Sequence, residues 1–596
     1  MSMEMTWELE SLYPSFGSEK YRENQTRASA LAQDLKEWTA QHLQEGGHSR
    51  AEALLTLETY LTRYDAYRSI YLCLFSYAEL RFSINGSDGE AMNAMDELEQ
   101  MEAVAEQAHI AFGKWLAELE NLESLAVESA YVRSQLFYLQ GLRQQSTHRL
   151  GKEAETAITL MQSTGSKAWG RLYMRTISSL RQDLVIGGKT QSVGLSDLRN
   201  LAYDGEAAVR KKAYELEQEA CASVAELSAA CINGVCGEAI AICGLRGYAS
   251  PLDKVLEASR MERGTLEAMM TAIREGLPAF HRYYRTKARL LGHSGALPFH
   301  DVFAPLEGKA SALISYSTAK DIIVSGFHRF SAELGRFADR AFLRRWIDAE
   351  PRADKGGFGM CVDIFPIGES RIMTSFNGHY IDVSVLAHEL GHAYHSSCLI
   401  GQPMVNTDYP VPLAETASIF CESLIQQELL ELAPKGASLA LLERTLSDAG
   451  YYIVDFYARY LFESRLYERR QFGTLSVQEL NSLMHEAMVE AYGNSVDAAS
   501  IHPYQWISKA GYYMAGNEFL NFPYSFGLLF SKGLYARYKK HGGDFVQRYR
   551  TFLEASGYTT VAEAARLMGV ELDSPAFWRE AMALLAEEIG AFADEA

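Results

Sequence analysis

The sequence predicts a mainly helical fold, and three observations carry that prediction. Only 14 prolines are spread over 596 residues, too few to interrupt long helices often. Long stretches are rich in Ala, Leu and Glu, which lose little on entering a helix. Apolar residues recur at spacings of three and four, the period of one helix face. Ser49–Leu80, Gly89–Leu119, Glu206–Ala230 and Leu413–Leu432 show this most clearly. At this length several domains and a large core are expected.

The first two stretches place helices in the N-terminal part. Next, Asp183-Leu-Val-Ile-Gly-Gly-Lys-Thr-Gln-Ser192 is turn-rich and predicts a small hairpin. Its end sets a boundary between an N-terminal helical region, 1–195, and a second region, 196–596. Lys355-Gly356-Gly357 is a further break, either a loop over a cleft or a surface turn. Glu369–Phe376 predicts a short strand closed by Asn377-Gly378. As an edge strand, Arg371–Phe376 could hold an extended peptide by backbone pairing; an ordinary strand and turn is the alternative. The apolar spacing of Val383, Leu386, Ala387 and Leu390 predicts a buried helix over 383–397.

Charge and cysteine usage exclude some classes. The net charge of −20 argues against a nucleic-acid or anionic-membrane surface. The opening Met1-Ser-Met-Glu-Met-Thr-Trp-Glu lacks the basic start and apolar run of a signal. No apolar stretch is read as long enough to span a bilayer. The eight cysteines form no C-x-x-C pair, and reduced thiols are expected rather than a disulfide framework. A cytoplasmic location follows as the expectation. Cys398 and Cys421 fall near the motif described next, where packing is their default role.

That motif is His388-Glu389-Leu390-Gly391-His392, an H-E-x-x-H sequence. On a helix, residues four apart share one face, so both imidazoles can reach one metal ion. Glu389 can reach a water on that metal, whose pKa zinc lowers, and act as general base. The pattern points to one Zn2+ and to peptide hydrolysis. The alternative is a helix with two unrelated histidines.

A third protein ligand is expected. A metzincin would need glycine and then histidine downstream, but His395 and Cys398 stand there. Glu415 is the better candidate, in Pro412-Leu-Ala-Glu-Thr-Ala-Ser-Ile-Phe-Cys-Glu422, with Pro410 and Pro412 where a helix would begin. Glu415 and Glu422 lie two turns apart on one face of an otherwise apolar helix. Burying both needs partners; a metal for one and a ligating histidine N–H for the other would supply them. A solvated acidic face is the alternative. Asp408 is a weaker ligand candidate, and His395 reads as a packing or hydrogen-bonding residue.

At this point the chain resembles oligoendopeptidase F of the thimet-oligopeptidase-like zinc peptidases. The resemblance rests on His388-Glu-Leu-Gly-His-Ala-Tyr-His395 followed by Ala414-Glu-Thr-Ala-Ser418 and Glu422. It extends to Trp7-Glu-Leu-Glu-Ser-Leu-Tyr-Pro14, Leu297–Leu306, Ser375-Phe-Asn-Gly378 with Asp382-Val383, and Asn521-Phe-Pro-Tyr-Ser-Phe-Gly527. It implies a large two-lobed helical zincin-type fold, with a small β-sheet beside the zinc helix and a deep substrate channel. It implies cytosolic cleavage of oligopeptides. Carried over by residue, His388, His392 and Glu415 are the zinc ligands, Glu389 the general base and Glu422 a supporting partner. Tyr513 and Tyr524 are the oxyanion candidates; Phe376, Gly378 and Tyr512 are the substrate-binding ones.

The chain departs from this pattern at two places. Gly511 stands near where the family has a histidine, and Leu520 where it has a tyrosine. His502 is considered as a substitute for the histidine. The reading is a zinc endopeptidase acting on short peptides. Three rivals are kept. A related carboxypeptidase or dipeptidyl carboxypeptidase would need a cation for the terminal carboxylate, with Arg371 and Lys509 as candidates. A thermolysin-like enzyme would need N-E-x-x-x-D, which Ala-Glu-Thr-Ala-Ser does not supply. A catalytically silent peptide-binding protein is the third.

Overall fold

The computed structural model describes residues 4–43, 49–186, 188–306, 313–352, 355, 359–432 and 438–596. Gly356 and Gly357, read above as a loop or turn, lie outside the described residues. Among the described residues are twenty-five α-helices and two small sheets, the helical class the sequence predicts. The predicted long helices are found at Arg50–Ile84, Gly89–Glu118 and Val411–Leu432. The first begins at a reciprocal cap: Ser49 Oγ accepts from the Glu52 N–H, and the Glu52 carboxylate accepts from the Ser49 N–H at 2.9 Å. The stretch predicted as one helix over 206–230 is two, Ala207–Ser223 and Ala225–Leu245. Ser223 Oγ donates to the Ala220 carbonyl at 2.7 Å, and Val224 sits at φ −118°, ψ 11°. A local side-chain bond and a β-branched residue end the first helix there.

The chain divides into two compact units, each of three segments. The first contains Met1–His148, Ala312–Glu431 and His541–Gly569. Its helices Glu19–His42, Arg50–Ile84 and Gly89–Glu118 pack on one another. One core there is built from Leu35, Leu57, Phe112 and Leu116. Another joins Tyr13, Tyr77 and Leu98 to Val362, Ile364 and Met373 of the sheet. Each fully buried Leu or Phe contributes about 1.5–3 kcal/mol.

The three-stranded sheet corrects one expectation. Glu369–Met373 is its central strand, antiparallel to Met360–Ile364 and parallel to Ile347–Asp348. Both of its edges are paired, so Arg371–Phe376 cannot take a peptide as a further strand. The long edge strand is Met360–Ile364. After the sheet, the turn at Asn377-Gly378 (Gly378 φ +92°) leads into helix Tyr380–Cys398. Asp382 accepts the Asn377 N–H at 2.7 Å and the His379 N–H at 3.0 Å, which fixes the helix start. The helix buries Val383, Leu386, Ala387 and Leu390 and packs on the two longer strands.

The second unit contains Arg149–Ser311, Leu432–Lys540 and Val570–Ala596. Helix Arg263–Leu290 pairs with Pro575–Glu595. The predicted hairpin is Arg181–Ile186 against Lys189–Gly194 and lies inside this unit. A single π-helical turn, Tyr451–Asp455, joins Ser438–Gly450 to Phe456–Arg470. The expectation that no segment could span a bilayer is corrected by Ala225–Leu245. Among the described residues it alone is long and apolar enough, with mean hydropathy 1.5. In this fold it packs as a core helix: buried Asn233 donates to the Leu475 carbonyl and accepts the Leu475 N–H, each at 2.8 Å. All eight cysteines are unpaired, and all but Cys361 are buried.

Candidate metal centre

Two helices of the first unit build the centre by crossing at backbone distance. A Cβ at Gly391 would stand 2.6 Å from the Ala417 carbonyl oxygen and 2.6 Å from Ser418 Cα. Only glycine admits that approach. The crossing brings His388 and His392, one turn apart on Tyr380–Cys398, to Glu415 on Val411–Leu432. The two Nε2 atoms are 3.1 Å apart. Glu415 Oε2 lies 3.3 Å from His388 Nε2 and 3.5 Å from His392 Nε2. A tetrahedral ion with bonds of about 2.0–2.1 Å separates its ligand atoms by about 3.3–3.4 Å. Two imidazole nitrogens and a carboxylate oxygen at these spacings fit a zinc ion. The three side chains stay 24 %, 18 % and 21 % exposed, so the point they share is reachable.

Neighbours hold the three in place. The His388 Nδ1–H donates to Glu422 Oε1 at 3.0 Å, which turns Nε2 toward the shared point. Ser418 Oγ donates to Glu415 Oε2 at 2.9 Å. Burial opposes a charge on His388, but its hydrogen bonds to Glu415 and Glu422 outweigh that and hold its pKa well above the usual value. Burial likewise pushes Glu415 up, yet the two histidines hold its carboxyl far below the usual range. Glu389 behaves differently. It is 5 % exposed, and burial raises its pKa against the pull of His388 and His392. A carboxylate with raised proton affinity beside three candidate metal ligands has the chemistry a general base needs.

Gly359 is the residue that sequence reasoning missed. A Cβ there would stand 2.3 Å from Glu389 Oε1, so any side chain at this position would displace the Glu389 carboxylate. One glycine ahead of a strand gives no signal in sequence; the tertiary contact reveals it.

Other predicted residues fall elsewhere. Phe376 is 6 % exposed and packs edge-on against Tyr316. Buried Gly378 accepts the Ile314 N–H at 2.8 Å. Both are held in structural contacts. His395 is buried, hydrogen-bonded to Ser556 Oγ at 2.7 Å and stacked on Tyr409; burial holds its pKa down to about 3. Asp408 is not among the converging ligand atoms. Burial pushes the Cys398 thiol up to about 12, a packing environment. Arg371 donates to the Glu8 carbonyl and to Ser11 Oγ and pairs with Glu369. It is corrected from a carboxylate receptor to a structural tie.

Tyr512, Tyr513 and Tyr524 belong to the second unit. Tyr513 is fully buried, stacked on Tyr173 at 3.6 Å, and its hydroxyl donates to the Trp506 carbonyl at 3.3 Å. Tyr512 is buried against Phe462. Tyr524 stays half-buried beside Tyr452 and Phe456. His502 is buried, and its Nδ1 accepts the Tyr504 N–H at 2.9 Å. Burial lowers its pKa to about 4, so it stays neutral with its proton on Nε2. With Glu217 and Cys221 it forms a second ligand-like group. Its Nδ1 is occupied, burial raises the Cys221 thiol to about 12, and Glu217 is paired with Arg199 at 2.9 Å, so all three members are held in packing contacts.

Fold and site together define a helical H-E-x-x-H protein with a His2Glu ligand set. The chain belongs to peptidase family M3, whose pattern matches residues 200–584, and the Oligopeptidase F pattern matches residues 118–181. An oligoendopeptidase F homolog of Lactococcus lactis is 25 % identical over 336 residues, 55 % of this chain and 54 % of the relative. The chain thus spans about half the length of that relative. A solved chain from Chlamydophila abortus has TM-score 0.83 at 18 % identity, covering 99 % of this chain and 98 % of its own. Oligoendopeptidase-F from Enterococcus faecium has TM-score 0.71 at 15 % identity, covering 97 % and 98 %. These likenesses carry the fold.

Proposed function

We propose that this chain is a zinc-dependent peptidase that hydrolyses internal bonds of short peptides. The observation that carries the reading is the convergence of His388, His392 and Glu415 beside the buried base Glu389. These three would hold the ion. When bound, zinc supplies a Lewis acid that activates water and polarises a carbonyl. Glu389 takes the proton of the attacking water and later passes it to the leaving nitrogen. Its burial keeps bulk water from competing for that proton. Glu422 fixes the His388 ring, and Gly359 leaves the base room to move. By resemblance alone, Tyr513 and Tyr524 are the candidates for donating a hydroxyl to the developing oxyanion. Eight unpaired cysteines support a reducing, cytoplasmic setting.

Hydrolysis of a quenched peptide of about ten residues by the wild type and by Glu389→Gln tests this, with the zinc content of each determined. We expect zinc in both and a drop in kcat of about 10²–10⁴-fold in the variant, with internal cuts in the products. Zinc in both and no cleavage by the wild type would leave the silent peptide-binding protein as the better account.

A further inference from the structure

We propose that a cavity in the second unit, beside helix Ala225–Leu245, binds a free α-amino acid with an apolar side chain. Such a site shares no residue with the metal centre, goes beyond the peptidase reading and does not depend on it.

Size and floor come first. The cavity lies wholly within the second unit and has a volume of about 170 Å³. That is the liquid volume of about six waters, room for one amino acid but not for a peptide chain. Its floor is Val235, Ala239, Ile242 and Cys243, which fall on one face of the helix. Val235 and Cys243 are buried, whereas Ala239 and Ile242 are only half-buried. Apolar surface left in contact with water gains about 25 cal/mol per Å² when a ligand covers it.

Charge sets the class of ligand. Five charged side chains line the cavity: Lys167, Glu238, Arg246, Lys254 and Glu518. Lys254 pairs with Glu518 at 2.9 Å, and Arg246 with Glu155 at 2.7 Å. Glu518 also accepts the Gly516 N–H at 3.2 Å. Glu238 and Lys167 are left, one of each sign. Among the described residues neither forms an ion pair. Glu238 accepts the Ser166 N–H at 2.7 Å and the Ser166 hydroxyl. Both donors are neutral, and a carboxylate has lone pairs for about two more.

The acid is also held in place. It sits at the start of helix Ser166–Ser179, where a Cβ on Gly165 would stand 2.3 Å from Glu238 Oε2 and displace it. A preorganised acceptor loses little entropy on binding. Lys167 follows Ser166 in the chain and is exposed, so its long side chain is free to fold over a ligand. A simple carboxylic acid would leave Glu238 without a cation, and a simple amine would leave Lys167 without an anion. An apolar amino acid satisfies both: its ammonium meets Glu238, its carboxylate meets Lys167, and its side chain covers Ala239 and Ile242.

Calorimetric titration of the zinc-loaded protein tests this with three probes: leucine, leucinamide, which lacks the carboxylate, and N-acetylleucine, which lacks the ammonium. We expect leucine to bind and to raise the melting temperature, with each blocked analogue at least about tenfold weaker. Glu238→Gln and Lys167→Met should each weaken leucine about tenfold, and Lys167→Arg should restore most of it. Thermal melting reads whether each variant is folded. Should Glu238→Gln not fold, the exposed Lys167 variants decide the matter. Leucine affinity unchanged in the cavity variants would place its binding elsewhere and overturn the assignment. Either blocked analogue binding as well as leucine would overturn it too, and so would no binding of leucine at about 10 mM.

Discussion

The metal centre of the first unit and the tyrosine segment of the second hold their polar atoms in opposite ways. In the first, two of the three candidate ligands have a partner that aims them: Glu422 for His388, Ser418 for Glu415. Their charges are balanced within the group, and the three converging atoms stay reachable. In the second, Tyr512 and Tyr513 are sealed into the core, and the Arg199–Glu217 and Arg459–Asp455 pairs close on themselves. The first arrangement fits a bond-breaking step, which needs a fixed geometry. The second fits a packed scaffold. The difference separates a reachable polar cluster from a sealed one.

The sharpest way to break the comparison is at the helix crossing. Gly391→Ala places a methyl 2.6 Å from two backbone atoms, and backbone cannot step aside as a side-chain tip can. We expect about 1–3 kcal/mol of lost stability and a Glu415 carboxylate drawn away from the histidines. Zinc content after dialysis and thermal melting with and without zinc check this. Unchanged zinc binding would show that the crossing does not set the ligand geometry.

The candidate ligand set was legible in sequence, and the packing around it was not. H-E-x-x-H needs only the helical period to put His388 and His392 together, and Glu415 with Glu422 needs only that period and the cost of burying acids. Both are local rules. The strand Glu369–Met373 was legible as a strand, but its place in the sheet depends on Ile347–Asp348 and Met360–Ile364, which local spacing does not rank. The break at Val224 needed one side-chain hydrogen bond. Phe376, Gly378 and Tyr513 carried the family pattern and are buried, because burial is a property of neighbours distant in the chain. Gly359 became visible only through its contact with Glu389.

A smaller effect is expected at Glu422. Replacing it with glutamine keeps an acceptor for the His388 Nδ1–H but removes the charge that strengthens that bond. The His388 ring should stay oriented while its basicity falls. Zinc affinity should drop about 10–100-fold, read by competition with a chelator. Unchanged affinity would show that the Glu422 charge does not support His388.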